Sequence, residues 1–470
     1  MSKPLPKSAY LSGNFAPWLM EGEVHDPVVI GEIPRELAGA YYRNGSNPQF
    51  APGPNYHWFT GDGMIHAFHI EDGRCRYRNR WVRTPRFEVE REAGKALFSG
   101  LGPSEPDPRI EGVSGNSSNT NVLWHAGKLL SYWEAGPPYE IDPATLETIG
   151  LWDYHGAFHR ERMGNVVPDT MTAHPKIDPD TDECLGFGYS PMAPNLVYHV
   201  VDADGRLTRS DEIEVPYPCM MHDFVASSEH VLFPVLPAVF NFEKMADTGF
   251  PVAWEPERGS QLGVMPRGGG SDDVVWFETD PCFSFHYVNA VSHGSEFVVD
   301  YWRLDSLGLV PTERIAGGPP TLHRWTFDVA KGTVKDEALD DAPAEFGRID
   351  PRRAGKEYRD VYSLGTLAIP QSEGEPQFFN SLFHYDMKSG SRRDHRLREG
   401  DTFGEPIFVP RTPDAKEGDG FVLAIAHRAA ENRSDLLILD AQDIAADPLA
   451  TVQLPHRIPY GFHGNWRPAG

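Results

Sequence analysis

Residues 325–334 read WTFDVAKGTV: a short run with alternating apolar side chains, then Asp328, then turn residues that include Gly332. Alternation with a period of two is typical of a β-strand with one buried face. Aspartate and glycine after such a run favour a tight turn, because aspartate hydrogen-bonds the local backbone and glycine tolerates a positive φ. The stretch therefore predicts one β-hairpin.

The same pattern recurs along the whole chain at irregular spacing. Its other copies lie at 139–148, 175–183, 198–208, 383–391 and 436–443. We interpret each copy as the outer hairpin of a small antiparallel sheet, and a series of such sheets indicates the blades of a β-propeller. The alternative is an assortment of ordinary hairpins. No stretch reads as a linker, so we predict a single domain over residues 1–470.

The composition argues against several classes of protein. The 470 residues include 43 Lys and Arg against 68 Asp and Glu, which gives a net charge of −25. Such an acidic chain is a poor candidate for nucleic-acid binding and has no electrostatic attraction to an anionic membrane. The 45 glycines and 42 prolines agree with many short strands. The best helical candidate is EKMADTG at 243–249.

Location is predicted from what the chain lacks. The chain contains no run of about 18 apolar residues, so no membrane span is predicted. The N-terminal residues lack the apolar segment of a secretory signal. The apolar run VLFPVLPAVFNF at 231–242 allows at most weak peripheral contact with a membrane. No CxxC pair occurs. We expect a cytoplasmic protein with reduced thiols at Cys75, Cys184, Cys219 and Cys282.

Four of the 19 histidines have unusual surroundings. His222 in CMMHDFVAS, His286 in FSFHYVNA and His463 in GFHGNW lie among apolar or aromatic residues, and His174 lies in MTAHPKID. A charged imidazole is disfavoured in an apolar setting, so each should be neutral and either hydrogen-bonded or bound to a metal. No local spacing brings them together. They can meet only if distant strands converge, as the inner strands of a propeller do.

Three glutamates have a similar character. Glu134 ends KLLSYWEAG, Glu345 lies in PAEFGRID and Glu405 lies in FGEPIFVPR. A carboxylate that accepts the second N–H of a metal-bound imidazole fixes its tautomer and makes the other nitrogen a better ligand. The alternative is a surface or salt-bridged glutamate. The chain has no GxSxG, Walker A, HExxH or EF-hand motif.

These segments together resemble the carotenoid cleavage oxygenases. The resemblance lies in YYRNGSNPQF at 41–50, HWFTGDGMIHAFHI at 57–70 and the segment at 119–148 that begins NTNVLWHAGK, and it extends over nearly the whole chain. It implies an all-β fold, a seven-bladed β-propeller with a loop and helix dome over an axial metal site. It also implies a non-haem Fe(II) enzyme that cleaves a carbon–carbon double bond with O2.

The resemblance also implies roles for individual residues. The iron ligands correspond to His174, His222, His286 and His463. The carboxylates that hold these ligands correspond to Glu134, Glu345 and Glu405, and a threonine near the open iron position corresponds to Thr120.

Two substrate classes remain open. Phenol-cleaving members typically have a lysine where this chain has Trp133, and a tyrosine near Leu101. Tryptophan cannot stabilise a phenolate, so we predict a long apolar polyene, a carotenoid or apocarotenoid. The alternative is a lignostilbene, stilbene or isoeugenol-like phenylpropenoid, to which the segment WEPERGSQLGVMPRGG at 254–269 is more similar. Expected substrate contacts are Phe59, Phe98, Leu101, Trp133, Phe285 and Tyr301.

Two rival hypotheses come from other classes. A propeller hydrolase or isomerase would bind Ca²⁺ or Mg²⁺ through carboxylate oxygens and would work without O2. A binding scaffold would keep the fold without catalysis. All four histidines are present, which argues against the scaffold.

Overall fold

The structure is a computed structural model. It describes residues 5–53, 56–98, 100, 107–162, 165–244, 250–307, 318–367 and 378–469. The chain divides into two compact units. The first is Met1–Asp153 with Leu367–Leu382 and Asp394–Gly470, and the second is Tyr154–Thr366 with Phe383–Arg393.

The first unit contains three antiparallel sheets, which we number by their place in the chain. Sheet 1 has the order Gly22–Val24, Arg74–Trp81, Gly63–Glu71, Gly39–Ser46 and Gly464–Pro468. Sheet 2 has the order Asn121–His125, Lys128–Tyr132, Tyr139–Ile141 and Thr148–Leu151. Sheet 7 has the order Val28–Gly31, Ala450–Gln453, Arg433–Asp440, Gly420–Arg428 and Thr402–Phe403, and Ile407–Pro410 also pairs with Gly420–Arg428. Sheets 1 and 7 therefore each combine strands from both ends of the sequence.

The second unit contains three four-stranded antiparallel sheets. Sheet 3 is Lys176–Ile177, Cys184–Tyr189, Leu196–Val201 and Leu207–Ile213. Sheet 4 is Val225–Ala226, His230–Val235, Ser260–Pro266 and Val275–Thr279. Sheet 5 is Tyr287–His293, Glu296–Arg303, Thr321–Asp328 and Thr333–Asp340. Sheets 3 and 5 are simple meanders, because neighbouring strands follow one another in the sequence, whereas in sheet 4 a separate hairpin comes between the second and third strands.

Sheet 6 contains Ala344–Ile349, Asp360–Leu367, Phe379–Asp386 and Ser391–Arg396, and the division into units falls within its strands. Two separate hairpins pair His159–Arg162 with Asn165–Pro168 and Ala238–Phe240 with Val252–Trp254. The described residues thus form seven sheets of four or more strands, and the predicted fold, a seven-bladed β-propeller, is confirmed. The single-domain organisation stays a prediction.

The six repeated patterns all form hairpins. WTFDVAKGTV joins Thr321–Asp328 to Thr333–Asp340, the outer strands of sheet 5. Two copies differ from the prediction of an outer hairpin. The segment 436–443 joins Arg433–Asp440 to Ala450–Gln453, and Val28–Gly31 lies outside this pair in sheet 7. The segment 175–183 joins Lys176–Ile177 to Cys184–Tyr189, which are the first two strands of sheet 3. A turn signal is local, so it marks a hairpin without indicating its position in the sheet.

Helix is scarce in the described part of the chain. The α-helix Pro85–Ala93 begins after Thr84, whose side chain accepts a hydrogen bond from the Phe87 N–H, and ends at Gly94 with φ +64°. It was not predicted, although a threonine cap, a first-turn proline and a terminal glycine are its usual sequence signals. Most of the predicted helix at 243–249 lies outside the described residues. The 3-10 turns are Ala9–Leu11, Gly13–Phe15, Trp58–Thr60, Pro108–Ile110, Pro256–Arg258, Ser271–Asp273 and Pro351–Arg353.

Each unit has its own apolar core. In the first unit, strands Gly420–Arg428 and Arg433–Asp440 are buried on both faces, and Leu423 and Leu436 pack into a cluster with Tyr41 and Phe68. In the second unit, Phe187, Tyr198 and Phe233 belong to a cluster from sheets 3 and 4. None of the helices in the described ranges is long and apolar enough to cross a membrane.

Candidate metal centre

The predicted polar residues share one position in the architecture. In each of the seven sheets, one of them lies in or close to a strand at one edge of the sheet. His174, His222 and His286 precede the strands that begin at Lys176, Val225 and Tyr287. The same position is occupied in the other four sheets by Thr120, Glu345, Glu405 and His463. Innermost strands of propeller blades line the central channel, so this position suits a shared site.

Three of the histidines lie against one another in the second unit. The Nε2 atoms of His174 and His222 are 3.0 Å apart. The ring centroid of His286 lies 5.0 Å from that of His174 and 5.2 Å from that of His222. Two nitrogens bound at right angles to one ion, each at about 2.1 Å, are about 3.0 Å apart. The spacing of the His174 and His222 nitrogens therefore fits two neighbouring ligands of one metal ion.

Glu345 holds the ring of His286. One Glu345 oxygen lies 2.6 Å from His286 Nδ1 and also accepts a hydrogen bond from the Phe346 N–H. Glu345 is buried; both of these contacts are made by its Oε2 atom, and its Oε1 atom has no hydrogen-bond partner among the described residues. With its proton on Nδ1, His286 keeps the lone pair of Nε2 for a metal.

Glu405 holds the ring of His463 in the same way, in the first unit. Its Oε1 atom lies 2.9 Å from His463 Nδ1, and its Oε2 atom accepts a hydrogen bond from the Gly464 N–H at 2.8 Å. Both side chains are buried, with His463 3% and Glu405 4% exposed. The backbone N–H of His463 donates to the carbonyl of Thr120 at 3.1 Å. The histidine is therefore fixed through its ring and its backbone.

Each of the four histidines offers one nitrogen, and these nitrogens all lie within 4.8 Å of one another. Imidazole suits the first-row transition metals, whereas Ca²⁺ and Mg²⁺ prefer oxygen ligands. Neutral imidazoles bring no charge to the site. The two carboxylates, Glu345 and Glu405, contact the Nδ1 atoms of His286 and His463 and are not part of the ligand set. The donor set fits Fe(II) and does not fit the calcium or magnesium site of the rival hydrolase hypothesis.

Thr120 lies directly before the first strand of sheet 2, and Glu134 lies in the turn after the second strand. Thr120 is buried, its N–H donates to the Tyr132 carbonyl, and its Oγ1 donates to Asn119 Oδ1 at 2.9 Å. Glu134 lies half-buried in the turn after Lys128–Tyr132, next to Trp133. The Trp133 ring packs closely against Gly136, where a Cβ atom would lie 3.3 Å from the indole. That turn therefore presents a carboxylate and a flat apolar ring side by side.

The predicted substrate contacts fall in different surroundings. Phe285 packs edge-on against His222 at 5.4 Å between ring centroids. Phe59 lies 5.9 Å from Phe462, which precedes His463. Tyr301 is fully buried within sheet 5, where its ring stacks on Trp325 at 3.7 Å and its hydroxyl donates to Asp336. Tyr301 thus has the contacts of a core residue.

Phe98 lies near a small buried ionic group. Its N–H donates to Glu90 at 2.9 Å, and the Arg86 guanidinium lies 5.0 Å from its ring centroid. Burial raises the pKa of Glu90 and of Asp62. Both carboxyls face Arg86, whose Nε atom lies 3.6 Å from Asp62. Leu101 lies outside the described residues.

One residue beside the histidines was missed by the sequence analysis. Phe346 lies 4.9 Å from His286 between ring centroids and has φ +57°. A positive φ is uncommon for an aromatic residue and is retained where the surroundings require it. Here the Phe346 N–H is bonded to Glu345. The sequence signal that could have indicated Phe346 is its position between Glu345 and Gly347.

Comparison with known proteins identifies the class. The family model described as retinal pigment epithelial membrane protein (RPE65) matches residues 15–468. The chain belongs to this family, which is the carotenoid cleavage oxygenase family predicted from the sequence, and it is an enzyme of that oxygenase class.

Particular relatives cover the chain from end to end. Isoeugenol monooxygenase from Pseudomonas putida is 38% identical over 97% of this chain and 97% of its own length. The crystal structure of Pseudomonas brassicacearum lignostilbene dioxygenase matches with a TM-score of 0.91 and 33% identity over 100% of both chains. A structure of Synechocystis apocarotenoid oxygenase matches with a TM-score of 0.86 and 28% identity over 98% of both chains.

Proposed function

We propose that this protein is an Fe(II)-dependent oxygenase that uses O2 to cleave a carbon–carbon double bond of a conjugated apolar substrate, with two carbonyl products. The observation that carries the proposal is the group of four histidine nitrogens within 4.8 Å of one another. Membership of the oxygenase family supports the same activity.

Each residue has a defined part in this proposal. The four histidines hold the iron, and Glu345 and Glu405 keep the proton of two rings on Nδ1 so that the Nε2 atoms face the ion. Glu134 is proposed as the third such carboxylate, and Thr120 as the residue beside the open iron position. Bound Fe(II) supplies the redox chemistry that lets O2 react with an alkene. The buried surroundings of His286 and His463 keep water from the ligands.

The metal ligands are tested by removing one of them. His286→Ala should leave purified protein with a fraction of the wild-type iron content and no O2 uptake. His293→Ala is the matched control, because His293 lies on the strand that follows His286 and its side chain is 50% exposed. Metal analysis and an oxygen electrode are the measurements. An active, iron-free His286→Ala protein would overturn the proposal.

A carotenoid or apocarotenoid is the first candidate substrate. Trp133 supports it, because an indole offers an apolar wall and one N–H donor but no group that stabilises a phenolate. Phe285 beside His222 and Phe59 beside Phe462 are further aromatic surfaces for a flat polyene. The match to apocarotenoid oxygenase agrees with this candidate.

A phenylpropenoid or stilbene is the second candidate. Two curated relatives named isoeugenol monooxygenase are 38% and 36% identical to this chain. A lignostilbene dioxygenase also matches its structure with a TM-score of 0.91, against 0.86 for the apocarotenoid oxygenase. These comparisons favour an aromatic alkene, whereas Trp133 favours a polyene.

One experiment separates the two substrate classes. Fe(II)-loaded protein is offered an apocarotenal, isoeugenol and a 4-hydroxystilbene in parallel, with O2 uptake and mass spectrometry of the products. Uptake with the apocarotenal alone supports a polyene site at Trp133. Uptake with the phenols alone overturns the polyene candidate and means that residues other than a lysine at position 133 bind the phenol.

The remaining proposals concern location and partners. We place the protein in the cytoplasm, supported by its four buried, unpaired cysteines. Its partners are then an apolar alkene and O2, with no nucleic acid and at most weak peripheral contact with a membrane. The net charge of −25 supports the last two points.

A further inference from the structure

We propose that Asp223 is a positioning residue that ties together the three chain segments carrying His174, His222 and His286. The inference rests on the proposed metal centre. Asp223 directly follows His222, and its side chain is 2% exposed. It was not among the residues singled out from the sequence.

The Asp223 carboxylate accepts hydrogen bonds from all three segments. Its Oδ1 atom accepts from the Phe224 N–H at 2.8 Å and from Lys176 Nζ at 2.7 Å. Its Oδ2 atom accepts from the Tyr287 N–H at 3.1 Å. Lys176 lies two residues after His174, and Tyr287 directly follows His286. One side chain therefore binds next to three predicted ligands.

The geometry gives this contact a mechanical role. The three histidines lie just before the first strands of sheets 3, 4 and 5. The carbonyl of His286 accepts a hydrogen bond from the Trp302 N–H of the next strand at 3.3 Å. Strands Val225–Ala226 and Tyr287–His293 belong to different sheets. Asp223 supplies a direct link between them at the level of the histidines. Metal ligands need support of this kind, because small displacements of a ligand weaken the site.

Lys176 completes the link. Its ammonium group also lies 5.8 Å from the centroid of the Phe224 ring, and its side chain is 27% exposed. A buried carboxylate that accepts two backbone N–H bonds and one ammonium bond has its charge well satisfied. An asparagine has one acceptor oxygen and one NH2 donor, so at position 223 its donor would face an N–H group. Asp223→Asn therefore breaks the link with little change in volume.

The test measures Co(II) binding to the full-length apoprotein by competition with a chromophoric chelator, together with the visible absorption of bound Co(II). Asp223→Asn should raise the Kd for Co(II) about tenfold or more and change the Co(II) absorption bands. Asp435→Asn is the matched control, because Asp435 is an equally buried carboxylate, paired with Arg428 and Arg433 in sheet 7. It should lower stability and leave the Co(II) Kd and spectrum unchanged.

Lys176→Met is the second variant. It keeps both backbone bonds of Asp223, so its Co(II) Kd should lie between those of wild type and Asp223→Asn. If Asp223→Asn does not fold, the comparison of Lys176→Met with wild type tests the proposal. Wild-type protein that fails to bind Co(II) overturns the proposed metal centre. Wild-type protein that binds Co(II), with the same Kd and spectrum in the folded variants, overturns the role of Asp223 alone.

Discussion

Replacement of Glu405 by glutamine tests how much the buried carboxylate contributes to metal binding. Glu405 accepts two hydrogen bonds, from His463 Nδ1 at 2.9 Å and from the Gly464 N–H at 2.8 Å. Glutamine has nearly the same shape, but it is neutral and has one acceptor oxygen. Whichever bond it keeps, its NH2 group faces the other donor. The side chain is only 3% exposed, so water cannot replace the lost acceptor easily.

The magnitude follows from these contacts. A hydrogen bond to a charged group contributes about 1.5–3 kcal/mol. Loss of a carboxylate behind a metal-bound histidine typically costs about 10–100-fold in metal affinity, which corresponds to about 1.4–2.8 kcal/mol. The two routes agree, so we expect Glu405→Gln to raise the Kd for Fe(II) or Co(II) by about 10–100-fold.

The assay is competition with a chromophoric chelator under anaerobic conditions. Glu431→Gln is the matched control: it is the same substitution in the same unit, at a carboxylate whose side chain is 40% exposed and paired with Arg398. Its effect should be negligible, because exposed ion pairs contribute little. A Kd for Glu405→Gln within twofold of wild type would refute the assignment of Glu405 as the partner of a metal-bound His463.

Two predictions concern stability. Burial lowers the pKa of His199 to about 4, against about 6.5 in the unfolded chain, so its contribution to stability is present above pH 6.5 and is lost as the pH falls towards 4. Between pH 7 and pH 5 this loss is about 2 kcal/mol. In His199→Gln the side chain cannot titrate, so its free energy of unfolding in urea should fall by about 2 kcal/mol less than that of wild type over this range. Equal pH dependence of the two proteins would contradict the prediction. Leu423→Ala removes a fully buried side chain from the core of the first unit and should lower the free energy of unfolding by about 2–5 kcal/mol. The Co(II) Kd of the Leu423 variant should match wild type, and a loss of stability below about 1 kcal/mol would contradict the packing argument.

Local signals determined the hairpins and the surroundings of the histidines. Alternating apolar residues followed by Asp142, Asp202 or Asp328 produce hairpins, because strand alternation and turn chemistry depend on neighbouring residues. The helix Pro85–Ala93 was missed because only Phe87 and Glu90 of its residues are buried, which leaves little apolar periodicity to detect. Residue identity also indicated neutral, buried roles for His286 and His463, since the flanking residues are apolar or aromatic.

Only the tertiary structure decided which of these residues meet. Glu345 lies 59 residues from His286, and Glu405 lies 58 residues from His463. Such pairs form when the edge strands of separate sheets lie side by side, and no local pattern encodes that distance. The link from Asp223 to Tyr287 spans 64 residues for the same reason. The sequence by itself determined the strands, the class of enzyme and the candidate ligands. The packing of the sheets decided which carboxylate holds which histidine, because those contacts join residues that are far apart in the chain.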